Sequence, residues 1–301
     1  YVALPFWVIT SIAALQMAIR IIAWSGIMVG LFGLSSLFVN APFWGVWRRV
    51  SPYAIGSFAP LLTNHNLLAE VLIFTIPFVW LTAREHFGVS HKWYMVAFWM
   101  VGITTLLTFS RAAWIAIVLQ IFLAYRLVRP HELLKRAISM WPLLVCGAGL
   151  ALYMILFSTS TLVQSSTATR LDLSRIAFQQ AAITPWFGKG IGTFLPTIGI
   201  THAFILDYGD PIEAHGLIQK LVFETGIVGL GLFLMFFAWL FIVLIKRWHQ
   251  LPEGQYRDMV LAVFLATAGA LVYQVFNTSY FSPKLWFPVG MALVILYGKW
   301  K

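Results

Sequence analysis

The stretch GIVGLGLFLMFFAWLFIVLI, residues 226–245, is twenty residues long and contains no charged side chain. An α-helix needs about 20 apolar residues to cross the hydrocarbon core of a bilayer, which is about 30 Å thick. At a rise of about 1.5 Å per residue, a helix over this stretch has the required length. The sequence therefore predicts a transmembrane helix here.

The rest of the chain has the composition of a membrane protein. Of its 301 residues, 60% are hydrophobic and only 10% are charged. A soluble domain of this length could not bury so much apolar surface. The predicted fold class is all-α, a polytopic transmembrane helical bundle of about nine helices, with 1–301 as a single transmembrane domain. The expected spans are 1–19, 21–39, 64–82, 94–110, 112–125, 138–157, 217–245, 259–277 and 285–298.

The positive charges indicate how these spans are oriented. The net charge is +10, and 12 of the 20 Lys and Arg residues fall in loops on one side if every span crosses. These twelve are Arg20, Arg84, Lys92, Arg126, Arg129, Lys135, Arg136, Lys246, Arg247, Arg257, Lys299 and Lys301. The positive-inside rule makes their side cytoplasmic. The connection 158–215 is then a long external loop, and the charges give no reason to expect nucleic acid binding. The lone Cys146 excludes an intrachain disulfide and a thiol metal site.

The external loop is expected to contain short helices. A Ser/Thr-rich run leads into RLDLSRIAFQQAAI, residues 170–183, which predicts a helix with Thr169 as its N-cap. Pro185 fits a stop soon after this helix. The following FGKGIG, residues 187–192, predicts a turn. No strand precedes these glycines and no Lys-Ser/Thr follows them, so a nucleotide phosphate loop is not favoured.

Arg111 lies between two apolar runs, close to the predicted outer interface. Only 14 residues separate it from Arg126. That is roughly 21 Å of helix against a hydrocarbon core of about 30 Å, so Arg111 is expected at or below this interface. It either snorkels to lipid phosphate or is held for an anionic ligand, and the spacing does not decide between them.

Glu70 is expected almost two turns inside a helix that begins near Asn64. An unpaired carboxylate at that depth needs a cation or a proton. We expect an internal pair with an arginine on another helix. At the mouth of the same helix, His65 and Asn66 either bind sugar hydroxyls or cap the helix.

Two arginines and a group of acids mark the external loop. Arg170 and Arg175 are five residues apart, about 140° around a helix, so they do not share one face. Each is either a solvated residue or a fork for a pyrophosphate.

Asp207, Asp210, Glu213 and His215 have the side chains of a divalent-metal site, but their spacing matches no metal motif. His215 also begins a predicted helix, where the macrodipole favours a neutral imidazole that can accept a proton. Alternatively, it caps its own helix and pairs with Glu213. The residues alone leave these interpretations open.

In their order and spacing, these positions resemble the O-antigen ligase and polymerase superfamily of bacterial membrane proteins. The matching motifs are Ser110-Arg111 between two helices, Arg170 fifteen residues before the Pro185 of PWFGKGIGTF, and HGLIQKLVFETGIVG at 215–229. NHNLLAE at 64–70 and FSPKLWFPVG at 281–290 are also similar, and the resemblance covers most of the chain from about residue 20. Two residues depart from the pattern: Gly216 replaces an Asn, and Ser174 replaces a Trp, which we expect to alter packing only.

The resemblance implies a metal-independent glycosyltransferase of ligase type, without a cofactor, in the bacterial inner membrane. Its multi-pass fold would present the active site to the periplasm. The donor would be a glycan on undecaprenyl pyrophosphate, and the acceptor a sugar hydroxyl of lipid A–core. By resemblance, Arg111, Arg170 and Arg175 hold the pyrophosphate, while His215 is the catalytic base. The candidate supporting residues are Glu213, Glu70, Asn66 and Glu224.

Other functions within this superfamily remain alternatives. An O-antigen polymerase uses the same donor with a lipid-linked glycan as acceptor, and a protein O-oligosaccharyltransferase uses a protein hydroxyl. A bicarbonate-transporter-like protein would need charges along a path at mid-membrane. The charges here gather at the outer interface and loop, which favours surface chemistry, although Glu70 fits a transporter.

Overall fold

The computed structural model describes residues 2–40, 48–58, 64–85, 88–128, 161–200, 213–277, 281 and 283–298. These residues form nine α-helices and a short π-helix, Leu195–Gly199, and contain no β-strand. The α-helices are α1 Ala3–Val8, α2 Ile12–Val39, α3 His65–Glu85, α4 Gly88–Leu107, α5 Arg111–Val128, α6 Thr161–Ala181, α7 Leu217–Gln250, α8 Gln255–Val275 and α9 Pro283–Tyr297. The all-α fold class is therefore confirmed.

Five of these helices, α2, α3, α5, α7 and α8, are long and apolar enough to cross a membrane, and α9 is a shorter apolar helix. The chain is thus a helical, multi-pass membrane protein. The predicted span 138–157 and Cys146 lie outside the described residues.

The N-terminal region corrects two predicted spans. The expected break at Arg20 is wrong, because Ile12–Val39 is one continuous helix of 28 residues. Its start is fixed by Ser11, whose hydroxyl accepts a hydrogen bond from Ala14 N–H at 3.1 Å. Arg20 can remain within this helix because its Nη2 lies 3.7 Å from the Glu85 Oε2 at the end of α3.

The chain consists of two compact units. The first comprises Tyr1–Phe122, Phe237–Gln274 and Ser279–Lys301, and the second Leu123–Phe236 and Val275–Thr278. Each unit has its own core.

In the first unit, charged and polar groups gather at opposite ends of the helices. At one end, Arg84 of α3 lies 3.4 Å from Asp258 of α8. At the other, the Tyr273 hydroxyl donates to the Asn66 carbonyl at 2.7 Å and lies 3.4 Å from the Ser110 hydroxyl. These two groups of contacts therefore lie near opposite ends of α3 and α8.

The core of the first unit joins α3, α5 and α8. It is formed by Ala69, Ile73, Ala113, Ala116 and Tyr273. Near this core, the Gln120 amide donates to the carbonyls of Ile73 and Leu265 at 3.0 and 3.1 Å. Small residues and side-chain hydrogen bonds are what bring helices together in a bilayer, where apolar burial gives little drive.

The second unit rests on α6, which begins earlier than the sequence predicts. The proposed N-cap at Thr169 is wrong, because Thr169 lies inside Thr161–Ala181. Ser and Thr favour caps without breaking a helix, and no Pro or Gly occurs between the two ends of α6. The helix does end before Pro185, as expected. Its buried side packs Leu173 and Ala177 into a core completed by Phe194, Ile198, Ala214 and Phe223.

Candidate active site

The second unit builds its candidate site beside a break in α7. Gly226 has φ 67° and ψ −171°, so the helical hydrogen-bond ladder is interrupted there. The turn after α6 supplies backbone partners on both sides of the break. The bonds run from Lys189 N–H to Phe223 C=O (2.9 Å), Gly190 N–H to Glu224 C=O (2.8 Å), Ile227 N–H to Pro185 C=O (2.8 Å) and Val228 N–H to Trp186 C=O (3.2 Å). Such pairing is what irregular backbone needs where a hydrocarbon run begins.

Two glycines make this docking sterically feasible. Gly188 and Gly226 have φ angles of 68° and 67°, a region that side chains rarely adopt. A Cβ on either glycine would overlap backbone atoms of the opposite segment. The predicted turn is confirmed, and the amides of Lys189 and Gly190 already donate to α7 carbonyls. The glycine-rich motif and the break in α7 therefore form one structural element.

Glu224 helps to fasten this element. Its side chain is buried, and its Oε1 accepts a hydrogen bond from the Phe194 N–H at 3.2 Å. The Phe194 ring packs edge-on against Phe223, with centroids 5.4 Å apart. Glu224 thus contributes to the scaffold of the candidate site.

Glu213 and Lys220 form an ion pair at the start of α7. The Lys220 Nζ lies 2.6 Å from the Glu213 Oε2, and the lysine side chain is only 4% exposed. A buried ammonium needs such a partner. Glu213 therefore balances the charge of Lys220 beside the candidate site.

His215 lies in a bend two residues before α7 begins. Burial, together with the positive charge of Arg170, lowers the pKa of His215 to about 4. Both effects disfavour the imidazolium. The ring is therefore neutral at pH 7, which is one of the alternatives that the sequence left open.

Arg170 and Arg175 occupy α6. Arg170 is half-buried and acts electrostatically on His215, whereas Arg175 is exposed. Arg170 is therefore within electrostatic range of His215, whereas Arg175 is on the exposed side of the helix.

A glutamine that sequence reasoning passed over anchors the His215 bend. Gln219 is the third residue of α7 and is buried. With its amide oriented to satisfy both ends, its oxygen accepts from the N–H groups of His215 at 3.1 Å and Gly216 at 3.2 Å. Its NH₂ group then contacts the Ser174 hydroxyl, which donates to the Arg170 carbonyl at 2.7 Å. A Gln at the third helical position is a capping-box signal, so the sequence did contain a clue.

The remaining candidates belong to the first unit. Arg111 is the exposed first residue of α5. Glu70 is buried, with one oxygen 2.8 Å from the Lys284 Nζ and the other accepting from the Gln274 amide. The expected arginine partner of Glu70 is therefore wrong, because a lysine on α9 supplies the cation.

Asn66 does not cap α3 through its side chain. Asn64 takes that role, since its Oδ1 accepts from the Asn66 N–H at 2.8 Å.

The four residues that have the side chains of a divalent-metal site are only partly described. Asp207 and Asp210 lie outside the described residues. Within the described ranges, no group of three or more His, Cys, Asp or Glu side chains could hold a metal ion.

A protein-family model matches part of the chain. A search of curated proteins finds no match. The family model described as O-antigen ligase matches residues 96–234, a range that includes Arg111, Arg170 and His215. This family consists of membrane glycosyltransferases of the ligase and polymerase type. Over residues 96–234, the chain is therefore similar to the O-antigen ligase family.

Proposed function

We propose that this membrane protein transfers a glycan from undecaprenyl pyrophosphate to a sugar hydroxyl of lipid A–core, at the periplasmic face of the bacterial inner membrane. The proposal rests on His215, whose pKa is lowered by burial and by the charge of Arg170, and on the hydrogen bonds through Gln219 and Ser174 that connect the backbones of these two residues. A base that must accept a proton and a cation that can meet a phosphate are both needed for this transfer.

The reaction is a displacement at the anomeric carbon of the donor sugar. The acceptor oxygen forms a new bond to that carbon, and His215 takes the hydroxyl proton on a ring nitrogen. The bond from the anomeric carbon to the pyrophosphate oxygen breaks. Its electron pair leaves with undecaprenyl pyrophosphate, which gains one negative charge.

Arginines contribute by stabilising that developing charge. A guanidinium that binds the leaving pyrophosphate stabilises the transition state more than the ground state. We assign this role to Arg170 and, by family resemblance, to Arg111 and Arg175. The ion pair between Glu213 and Lys220 and the buried Glu224 support the scaffold.

The pairing of Glu70 bears on the transporter alternative. A carboxylate that carries an ion or proton across the membrane would be available to that cargo. Glu70 is instead engaged by Lys284 and Gln274. This pairing favours a structural role for Glu70, and with it the glycosyltransferase over the transporter.

Transfer in liposomes tests the donor and acceptor. The purified chain would be given undecaprenyl-pyrophosphate-glycan with or without lipid A–core, and a chelator would be present throughout. We expect glycosylated lipid A–core only when that acceptor is supplied. Longer lipid-linked glycan without lipid A–core would mean a polymerase. No product from folded protein would contradict the proposed donor and acceptor.

Arginine variants test the assignment of the pyrophosphate ligands. Arg170→Ala and Arg111→Ala should each raise the donor KM and lower kcat, by about tenfold or more in kcat/KM, since each removes a charge-assisted contact. Arg126→Ala is the matched control, because Arg126 is an exposed arginine in the last turn of α5. An unchanged kcat/KM in Arg170→Ala would contradict its role.

A further inference from the structure

The strongest unassigned feature is a chain of hydrogen bonds between α6 and the start of α7. At the α7 end, the Gln219 amide oxygen accepts from two successive backbone N–H groups, those of His215 and Gly216. The helix start leaves such N–H groups without intrahelical partners. Gln219 therefore holds the backbone of the bend that carries His215.

The same side chain reaches α6 with its other end. Its NH₂ group donates to the Ser174 hydroxyl, and that hydroxyl donates in turn to the Arg170 carbonyl at 2.7 Å. In this series of hydrogen bonds, each hydrogen is donated to one acceptor. The donor and acceptor roles of Gln219 and Ser174 are therefore consistent with each other. The result is a continuous connection from the backbone of Arg170 to the backbone of His215.

Of the two connecting side chains, Gln219 is buried, at 8% exposed, and Ser174 is partly buried. A satisfied polar network in a low-dielectric setting is rigid, and the loss of one member leaves the others unsatisfied. Removing either side chain would therefore loosen the His215 bend relative to α6.

We infer that Ser174 and Gln219 are positioning residues that fix the His215 imidazole relative to Arg170. The inference rests on the proposed function, because it assigns them to the placement of the base and the pyrophosphate ligand. Neither side chain needs to touch substrate. Ser174 acts through the Arg170 carbonyl, and Gln219 through the His215 N–H.

The test begins with the kinetics of glycan transfer in liposomes. Gln219→Leu and Ser174→Ala should each lower kcat by about tenfold or more, with the donor KM nearly unchanged, because misplacing a catalytic group affects the chemical step. The double variant should be no slower than the slower single variant, since both changes break the same chain. Gln179→Leu, at an exposed glutamine of α6, is the matched control and should keep the wild-type rate.

The titration of His215 provides a readout that a general loss of stability would not move. Diethyl pyrocarbonate modifies neutral imidazole, so the pH dependence of His215 labelling, followed by mass spectrometry, reports its pKa without any substrate. Gln219→Glu keeps an acceptor for the bend but adds a carboxylate, which favours the imidazolium and should raise the pKa of His215. Among the described residues, Arg170, Glu213 and Lys220 are charged groups near the bend, and every variant retains them.

These outcomes separate the inference from the proposed function. If Ser174→Ala and Gln219→Leu are folded, transfer glycan within about twofold of the wild-type rate and label at His215 as wild type does, the inference is overturned. If wild-type protein transfers no glycan, the proposed function fails. The labelling curves then still decide whether Ser174 and Gln219 hold the His215 bend.

Discussion

At the scale of single residues, the environment of His215 determines what it can do. Burial and Arg170 keep its ring neutral, so the free protein has an unprotonated imidazole near neutral pH, as the proposed role of base requires. In the proposed reaction, the donor changes this balance. A bound pyrophosphate brings negative charge, which favours the imidazolium and therefore strengthens the base at the moment it is needed.

This balance predicts a pH profile with two different acid limbs. Activity requires neutral His215 and is lost as the pH falls through its pKa. The limb in kcat/KM, which reports the free enzyme, should lie near the pKa of about 4. The limb in kcat, which reports the donor complex, should lie at a higher pH. Initial rates across the acid range measure both, and a kcat limb at or below that of kcat/KM would contradict the account.

The Glu70 pair makes a second prediction at this scale. Lys284→Met leaves the buried Glu70 carboxylate without its cation and should destabilise the fold by about 3–5 kcal/mol. Adding Glu70→Gln removes the stranded charge and keeps a side chain that can bond Gln274. The double variant should therefore be more stable than Lys284→Met alone. Thermal unfolding in detergent measures this, and an additive loss would refute it.

At the scale of helices and turns, the break in α7 is the main feature. The backbone groups of α7 on both sides of the break form hydrogen bonds with the turn at residues 185–190. Gly226 allows the two segments to approach closely. The polar first part of α7, with Gln219, Lys220 and Glu224, thereby stays attached to α6 and its core.

Substitution of Gly226 tests this element. Gly226→Ala should release the turn, because alanine neither adopts the observed φ of 67° easily nor leaves room for Trp186. Hydrogen exchange should then accelerate at the amides of Lys189, Gly190 and Ile227. Gly231→Ala is the matched control, since a Cβ there meets open space. Equal exchange in the two variants would count against docking.

The helices show where sequence reasoning succeeds and where it stops. Long apolar runs predicted α3, α7 and α8 because crossing a bilayer imposes length and composition directly. The start of α2 and the continuity through Arg20 were missed, since a partner such as Glu85 allows a cation inside a helix. The break at Gly226 was also missed, because it depends on a turn more than thirty residues earlier in the chain.

The site shows the same limit. His215 and Arg170 were found from motif spacing, but their proximity depends on tertiary packing. Ser174, expected to alter packing only, is part of the connection to Gln219. The arginine expected beside Glu70 is a lysine on α9, which the local sequence of α3 could not indicate.

At the scale of the whole molecule, the chain is a multi-pass membrane protein that is similar to the O-antigen ligase family over residues 96–234. Its second unit contains His215 and Arg170. The scaffold around them includes the close contact between Gly188 and Gly226 and the hydrogen bond from Phe194 N–H to Glu224. Its first unit is a helical assembly with charges at its two ends. The proposed transfer assigns the chemistry to the second unit's histidine.

The most direct measurement is the initial rate of glycan transfer by His215→Ala and His249→Ala in liposomes with equal amounts of folded protein. His249 is the matched control, because it is an exposed histidine in the last turn of α7. We predict that His215→Ala loses about 10²- to 10⁴-fold in rate, the usual contribution of a general base, while His249→Ala keeps the wild-type rate. Transfer by folded His215→Ala at the wild-type rate would contradict the central claim.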